Sequence, residues 1–117
     1  MTGICCVPTL LATIAEDLPN LRFLLVSGEA CPQDLVARWH RPWRRMINAY
    51  GPTEATVTAS WTVLEPGKPV TIGQPLPTYT MAYSAKTAGR WPRRGPSAKS
   101  ASAGPGLAIG YVNLSGI

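Results

Sequence analysis

The chain has 117 residues, of which 45% are apolar, a length and composition compatible with one modest hydrophobic core. The apolar run 4–14 is too short to span a bilayer and contains Pro8, and three cysteines without a CxxC pair support neither a zinc site nor a disulfide framework, so a soluble, cytoplasmic protein is expected. The formal charge of +5 comes entirely from basic residues within 77–106, since the six basic side chains elsewhere balance the six acidic ones.

Strand and helix patterns alternate in the first half of the chain. The apolar runs are short and bounded by Gly, Asn or Pro, as is typical of buried strands, and Pro at a first helical position with acidic residues following it indicates helix starts. In chain order the predicted elements are a strand over 3–7, a helix over 9–17, a strand over 22–27, a helix from Pro32 and a strand over 46–50. This order predicts an α/β fold with a parallel sheet.

The second half of the chain is less regular in its pattern. Residues 56–63 are β-formers with rough alternation and predict one further strand, followed by a turn over 65–68. Several Pro and Gly residues then predict extended connecting chain. Residues 77–106 contain no Ile, Leu, Val or Phe, so they bury too little apolar surface to offset the entropy of ordering the backbone. Only 107–112 again predicts a strand.

Two loops follow neighbouring strands of the predicted sheet. Residues 27–30 (SGEA) end the second strand and residues 48–54 (NAYGPTE) end the third. Because ligands bind outside the carboxyl ends of strands in open α/β sheets, both loops are expected at one crevice. Tyr50 suits stacking on a base, the Thr53 hydroxyl suits a phosphate oxygen, and the Glu54 carboxylate suits magnesium held jointly with phosphates. From turn chemistry alone, the alternative is a plain turn with Thr53 as the N-cap of a short helix.

The string NAYGPTE resembles the signature loop of the adenylation domains of nonribosomal peptide synthetases and of related adenylate-forming enzymes such as acyl-CoA synthetases. Four further strings match the same family at compatible spacing, and together the matches cover 4 to about 80 and 104–114. They are CVPTLL (6–11), LRFLLVSGEACP (21–32), IGQPLP (72–77) and GPGLAIGYVN (104–113). The resemblance implies a partial parallel-sheet subdomain of an adenylate-forming enzyme, with an irregular basic segment near 81–103.

The resemblance also implies roles for individual residues. Thr53 and Glu54 are the implied catalytic residues: Thr53 contacts the α-phosphate of ATP and Glu54 binds Mg²⁺. The remaining nucleotide contacts are implied for the two loops, with adenine flanked by the second of them. They are Gly28, Glu29 and Ala30, together with Asn48, Tyr50 and Gly51.

An amino-acid pocket is implied as well. Its positions in this sequence are small or apolar, which favours a substrate with an uncharged side chain. They are Leu25, Ser27, Ala49, Val57 and Thr58, with Cys5 as a less secure member.

The implied reaction is attack of an amino-acid carboxylate on the α-phosphate of ATP, giving an aminoacyl-adenylate and pyrophosphate. Catalysis of this kind depends mainly on positioning and electrostatic stabilisation. The family's phosphate loop lies upstream of the matched region and its catalytic lysine subdomain downstream, so the chain is expected to be an internal piece that is inactive alone. In the intact family protein the partners are the amino-acid substrate and a carrier domain.

The match to the family lapses between 81 and 103, where branched aliphatic residues give way to Arg, Pro, Ala and Ser. It returns at Gly104 with the spacing nearly preserved. The implied organisation is a partial AMP-binding adenylation domain over 1–80, an irregular segment over 81–103 and a return to an adenylation-domain-like strand over 104–117. We hypothesise that 81–103 was translated from a shifted reading frame, and the alternative is a genuine basic linker. The hypothesis requires another frame of the gene to encode a strand pattern with Val, Leu, Asp and Glu.

The basic residues also allow functions other than adenylation. Basic and aromatic side chains interleave over 39–45, and with the basic residues of 86–99 they suggest a non-catalytic module that binds nucleic acid or another anionic partner. One cluster without a recognised binding module is weak evidence for this, so nucleic acid is not the expected partner. A third alternative is a chain that never folds stably.

Overall fold

The structure is a computed structural model that describes residues 2–85 and 98–111. For residues 83–85 and 98–100 it describes the backbone alone. Its main element is a sheet in the order β1-β2-β3-β4-β5. The strands are β1 (Gly3–Cys6), β2 (Phe23–Ser27), β3 (Arg45–Tyr50), β4 (Ser60–Val63) and β5 (Gln74–Pro75). The first three strands are parallel, as predicted, whereas β4 and β5 join the sheet antiparallel to their neighbours.

Two short helices connect the parallel strands, α1 (Pro8–Thr13) after β1 and α2 (Gln33–Trp39) after β2. Helix α1 is shorter than the predicted 9–17, because Ile14 is already extended and its N–H bonds back to Leu11. In the part of the chain described, neither helix has the length or hydrophobicity of a membrane span.

The core lies between the helices and one face of the sheet. Alternate residues of the strands point into it: Leu24 and Val26 of β2 are fully buried and Met46 of β3 nearly so. The helices contribute Leu11 of α1 and Trp39 of α2 to the same cluster. The opposite face of the sheet carries no helix among the described residues, and it presents β2 and β3 residues of the other parity, beginning with the exposed Phe23. This open face positions the candidate site.

The predicted strand over 56–63 begins only at Ser60. The four residues before it form a turn because Thr56 and Val57 both have positive φ, at 50° and 71°, which a strand cannot accommodate. The predicted strand over 107–112 is wrong for its described residues, 107–111. The Leu107 N–H donates to the Gly104 carbonyl at 3.2 Å and the Ala108 N–H donates to the Glu54 carbonyl at 2.7 Å, rather than to a strand.

The segment predicted to be irregular over 81–103 has ordered ends. β6 (Thr80–Ala85) and β7 (Ala98–Ala103) pair antiparallel as a separate two-stranded sheet, in which small residues such as Ala82 and Ala101 face each other. These two strands have few apolar residues with which to pack into a core. Pairing between them nevertheless satisfies their backbone N–H and C=O groups. Residues 86–97 lie outside the described residues, so the frame-shift hypothesis and the proposed domain boundaries stay predictions.

Candidate functional site

The two loops singled out in the sequence lie at the same edge of the sheet. β2 and β3 are parallel and in register, with Val26 opposite Asn48 and Ser27 opposite Ala49. The chain therefore leaves both strands at their carboxyl ends side by side, and the SGEA turn and the NAYGPTE loop begin next to each other. This juxtaposition is the crevice that α/β sheets use for ligands.

Gly51 is required by the way the second loop folds back on itself. A Cβ added there would lie 2.7 Å from the Ala59 nitrogen and 2.8 Å from the Val57 carbonyl oxygen, closer than any ordinary contact. The close approach allows the Ala59 N–H to donate to the Tyr50 carbonyl at 2.8 Å. The glycine thus joins the end of β3 to the start of β4 and fixes the loop between them.

Residues 53–55 of this loop form a single 3₁₀ turn, Thr53–Ala55. Its N-cap is Pro52, which makes no side-chain cap, so Thr53 is not the N-cap expected from turn chemistry. The exposed Thr53 hydroxyl instead lies at the first position of the turn, beside Glu54 in sequence.

Backbone strain is concentrated immediately after the 3₁₀ turn. Thr56 is left-handed, and Val57 has φ of 71° inside a three-residue turn closed by a 2.8 Å bond from the Thr58 N–H to the Thr56 carbonyl. Such turns are rare, and positive φ is costly for a β-branched residue. Strain of this kind persists only where surrounding contacts enforce it, which here include a 2.6 Å bond from the Thr56 hydroxyl to the Gly106 carbonyl.

Glu54 is held by the C-terminal part of the described chain. Its carboxylate accepts a hydrogen bond from the Tyr111 hydroxyl, and its carbonyl accepts the Ala108 N–H. The bond from Tyr111 stabilises the charged carboxylate and lowers the pKa of Glu54, and the same bond raises the pKa of Tyr111. No local pattern predicts this contact, because 57 positions separate the two residues.

Replacing Tyr111 with phenylalanine is expected to return the pKa of Glu54 toward its ordinary value. In the wild-type chain the folded-state pKa of Glu54 is lowered. The Tyr111 bond therefore contributes its full folding stability above the ordinary carboxyl pKa, and this stability is lost as pH falls through the lowered pKa. The titration of the Glu54 Cδ resonance by ¹³C NMR measures this. Tyr79→Phe is the matched control, since the Tyr79 hydroxyl donates to the Ala55 carbonyl instead. An unchanged Glu54 titration in the Tyr111 variant would contradict the contact.

The SGEA turn is shaped by Gly28 and anchored by Glu29. Gly28 has φ of +82°, a conformation that glycine adopts without the strain of a side chain. The exposed Glu29 carboxylate accepts bonds from the Thr9 N–H at 3.1 Å and the Thr9 hydroxyl at 3.0 Å. Glu29 therefore ties this turn to the start of α1, and the exposed Ala30 follows it.

Asn48 and Tyr50 lie at the end of β3. Asn48 is buried, and its side-chain amide donates to the Thr71 carbonyl at 2.8 Å, which fastens the chain leading into β5 against β3. Tyr50 is half-buried at the last position of the strand. Tyr50 lies at the crevice, and its contact with adenine stays a prediction, whereas the Asn48 amide nitrogen is engaged within the fold.

A groove of about 330 Å³ runs along the open face of the sheet below the loop. Three of the five pocket positions implied by resemblance line it together: Leu25 of β2, Ala49 of β3 and Thr58 of the loop. Four residues that the sequence reasoning missed complete the lining. They are Arg45, Ile47, Trp61 and Leu76.

The other implied pocket positions lie outside this groove. Ser27 is half-buried at the end of β2, and Val57 is 68% exposed at the strained turn. Cys5 is an exposed free thiol, paired in register with Leu25 on the open face. The missed residues Arg45 and Ile47 do follow a sequence signal, because residues at every second position of β3 share one face with Ala49.

The donor set near Glu54 fits a magnesium ion only if a nucleotide shares it. In the residues the structure describes, no three His, Cys, Asp or Glu side chains are grouped closely enough to hold a metal ion. Glu54 offers one half-buried carboxylate next to the Thr53 hydroxyl. Magnesium is commonly bound by one or two carboxylates together with substrate phosphates, so this donor set suits that arrangement and not a free-standing metal centre.

The basic and aromatic cluster over 39–45 is largely built into the fold. Trp39 and Arg44 are buried, and the Arg44 guanidinium donates to three backbone carbonyls and to Asp17. Arg41 pairs with the same carboxylate at 3.1 Å. Desolvation opposes ionisation of Asp17, but the bonds from Arg44 and Arg41 outweigh it and lower its pKa. Arg41 and Arg44 are therefore held by Asp17 and by backbone carbonyls within the fold, so these two side chains do not form a nucleic-acid patch.

Comparison with known proteins identifies the family. The family model described as AMP-binding enzyme matches residues 1–112. The chain belongs to the AMP-binding enzyme family. This agrees with the resemblance carried by the NAYGPTE loop.

Named relatives include biosynthetic enzymes of much greater length. The delta-poly-L-ornithine synthetase of Acinetobacter baumannii (strain AB307-0294) is 49% identical over 106 residues, 91% of this chain and 8% of that protein. A probable non-canonical nonribosomal peptide synthetase, CymA of Salinispora arenicola (strain CNS-205), is 47% identical over 112 residues, 94% of this chain and 1% of that protein. This AMP-binding chain thus spans less than a tenth of either relative.

The fold of this chain is similar to that of solved nonribosomal peptide synthetase structures. The nonribosomal peptide synthetase FmoA3 bound to α-methyl-L-serine-AMP is similar with a TM-score of 0.77 and 28% identity, over 96% of this chain and 14% of FmoA3. The AMPPNP-bound form of FmoA3 gives a TM-score of 0.74 at the same identity and coverage. The mixed α/β arrangement of the AMP-binding chain is therefore that of adenylate-forming enzymes.

Proposed function

We propose that this chain forms part of the ATP and amino-acid site of an adenylation domain. The reaction is the activation of an amino acid by ATP, in which the substrate carboxylate attacks the α-phosphate to give an aminoacyl-adenylate and release pyrophosphate. The proposal concerns the portion of the site that these residues contribute. In a complete adenylation domain, a phosphate loop and a lysine-bearing subdomain from other parts of the sequence would supply the rest.

One observation carries the proposal. One end of the groove borders the loop that contains Thr53 and Glu54, because Ala49 lies next to the last residue of β3 and Thr58 follows the 3₁₀ turn. An amino acid in the groove and a triphosphate at the loop would therefore meet at the end of one strand. Holding two reactants in this way is the main contribution that a protein makes to such a reaction.

The residues of the loop have distinct tasks in this proposal. The Thr53 hydroxyl binds an α-phosphate oxygen, and Tyr50 packs against the adenine beside the SGEA turn. Magnesium, held by Glu54 together with the phosphates, would neutralise charge that builds up on the phosphate oxygens. Tyr111 fixes the Glu54 carboxylate through its hydrogen bond, so the carboxylate stays ionised and oriented.

The partners follow from the same proposal. The amino acid occupies the groove, and the aminoacyl group is passed to a carrier domain, as the peptide-synthetase relatives suggest. Binding of nucleic acid is not supported, because Trp39, Arg41 and Arg44 of the 39–45 cluster are engaged within the fold and the named relatives are biosynthetic enzymes.

Titration of the ¹⁵N-labelled chain with ATP and Mg²⁺ tests the proposal. We expect amide shifts in the NAYGPTE loop and the SGEA turn, and Glu54→Gln is expected to weaken binding of the magnesium complex about tenfold, within the range for lost metal-site interactions. Glu65→Gln is the matched control, because Glu65 is an exposed glutamate whose ion pair, within the described residues, is with Lys68 and not at the loop.

Three results of the ATP titration would contradict the proposed roles of these residues. Shifts that map outside the two loops, or no shifts at millimolar ATP, would show that these residues do not form the nucleotide site. Equal weakening by Glu54→Gln and Glu65→Gln would show that Glu54 acts only as a surface charge.

A further inference from the structure

Arg45 lies in the groove by virtue of the strand pleat. It is the first residue of β3, and residues 45, 47 and 49 of this strand share one face. That face is the one away from the helices, so Arg45 and Ala49 line the same groove from its two ends. At about 3.3 Å per residue, their Cα atoms lie roughly 13 Å apart, and the Arg45 side chain occupies part of this distance.

The guanidinium of Arg45 is directed over the groove. It lies 5.7 Å from the centre of the Trp61 ring, and Trp61 is the residue of β4 that pairs with Ala49. The side chain therefore reaches along the strand toward the loop end of the groove, and stacking on an aromatic face restricts it there.

The charge of Arg45 is uncompensated among the described residues. None of the ion pairs or side-chain hydrogen bonds within 2–85 and 98–111 involves its guanidinium, whereas Arg44, Arg41 and Arg38 all donate to partners. The rest of the groove lining is uncharged: Leu25, Ile47, Ala49 and Leu76 are apolar. A cation with five donors in an otherwise apolar groove suits a carboxylate, which it can bind through two parallel hydrogen bonds.

We infer that Arg45 determines substrate specificity by selecting an amino acid whose side chain ends in a carboxylate. This inference rests on the proposed function, since it takes the groove to be the amino-acid pocket. It replaces the uncharged side chain that the small and apolar positions favoured. Those positions line the loop end of the groove, where they contact the substrate near its α-carbon, while Arg45 meets the far end of the side chain.

The test is a comparison of amino acids as ligands of the ¹⁵N-labelled chain. L-glutamate, L-glutamine and L-leucine are titrated separately while the Trp61 indole and the β3 amides are followed. We expect glutamate to bind about tenfold more tightly than leucine or glutamine, the difference that one charge-assisted bidentate contact provides. Arg45→Met is expected to remove this preference, and Arg22→Met, which removes an exposed arginine outside the groove, is expected to keep it.

The other outcomes of the amino-acid titrations separate a failure of the Arg45 inference from a failure of the proposed function. If glutamine binds as well as glutamate, or if Arg45→Met keeps the preference, Arg45 does not select a carboxylate, although the groove remains an amino-acid site. If none of the three amino acids shifts the groove resonances while ATP still shifts the loops, the inference is wrong and the nucleotide part of the proposed function stands. If neither ATP nor any amino acid shifts the site, both fail.

Discussion

Replacing Gly73 with alanine is expected to cost about 3 kcal/mol of folding free energy and to separate β5 from β4. A Cβ at this position would lie 2.0 Å from the Trp61 carbonyl oxygen and 2.4 Å from its carbon, and both are backbone atoms that cannot move independently. The residue also has φ of +76°, which adds about 1–2 kcal/mol for any residue with a Cβ. Steric displacement in a packed region adds roughly 1–3 kcal/mol more.

Gly67→Ala is the matched control for this change. Gly67 has the same φ of +76°, but nothing lies within 4 Å of an added Cβ, so only the conformational cost of about 1–2 kcal/mol remains. Urea denaturation measures both losses, and amide exchange at β4 reports the separation of β5. Because Trp61 lines the groove, Gly73→Ala should also weaken amino-acid binding. Equal losses of stability in the two variants would show that the Gly73 contact is unimportant.

Replacing Arg44 with methionine is expected to cost about 3 kcal/mol, a large share of the stability of a small domain. The buried guanidinium donates to the carbonyls of Leu18, Leu21 and Trp39 at 2.7, 3.2 and 2.9 Å. Methionine fills similar space but donates nothing, so acceptors that are shielded from water lose their partners. The loop before β2 would then detach from the end of α2.

Arg45→Met provides an internal comparison with the same loss of charge one residue away. Arg45 is exposed on the open face, and its contact within the described part of the chain is stacking on Trp61, for which about 0.5–1 kcal/mol is expected. The urea unfolding midpoints of the two variants separate the roles of the two arginines, provided that the dependence of the unfolding free energy on urea concentration is the same in both. Similar midpoints would contradict a structural role for Arg44.

Much of the fold could be predicted from local pattern. The buried strand at residues 23–27, the strand ending at Tyr50 and the start of the helix after Pro32 are all within one residue of the prediction, because apolar runs bounded by Gly and Pro are strong local signals. The misplaced elements depended on distant contacts. Thr56 and Val57 are good β-formers that are nevertheless held at positive φ by packing around Gly51 and Gly106. In the predicted strand over 107–112, Ala108 and Tyr111 bond to Glu54 instead of pairing with a strand.

In the candidate site, too, some features follow from the sequence and others from the tertiary structure. The sequence alone determined the family and the loop that carries Thr53 and Glu54, since a motif requires only its own residues in order. The tertiary structure decided which side chains share the groove and which are already engaged. Arg45 and Arg44 are adjacent arginines with equal charge, but the strand pleat turns one into an open groove and the other into the fold, and Tyr111 reaches Glu54 across 57 positions. Sequence order fixes the chemistry of each residue, whereas its partners depend on the strand register and on contacts between distant segments.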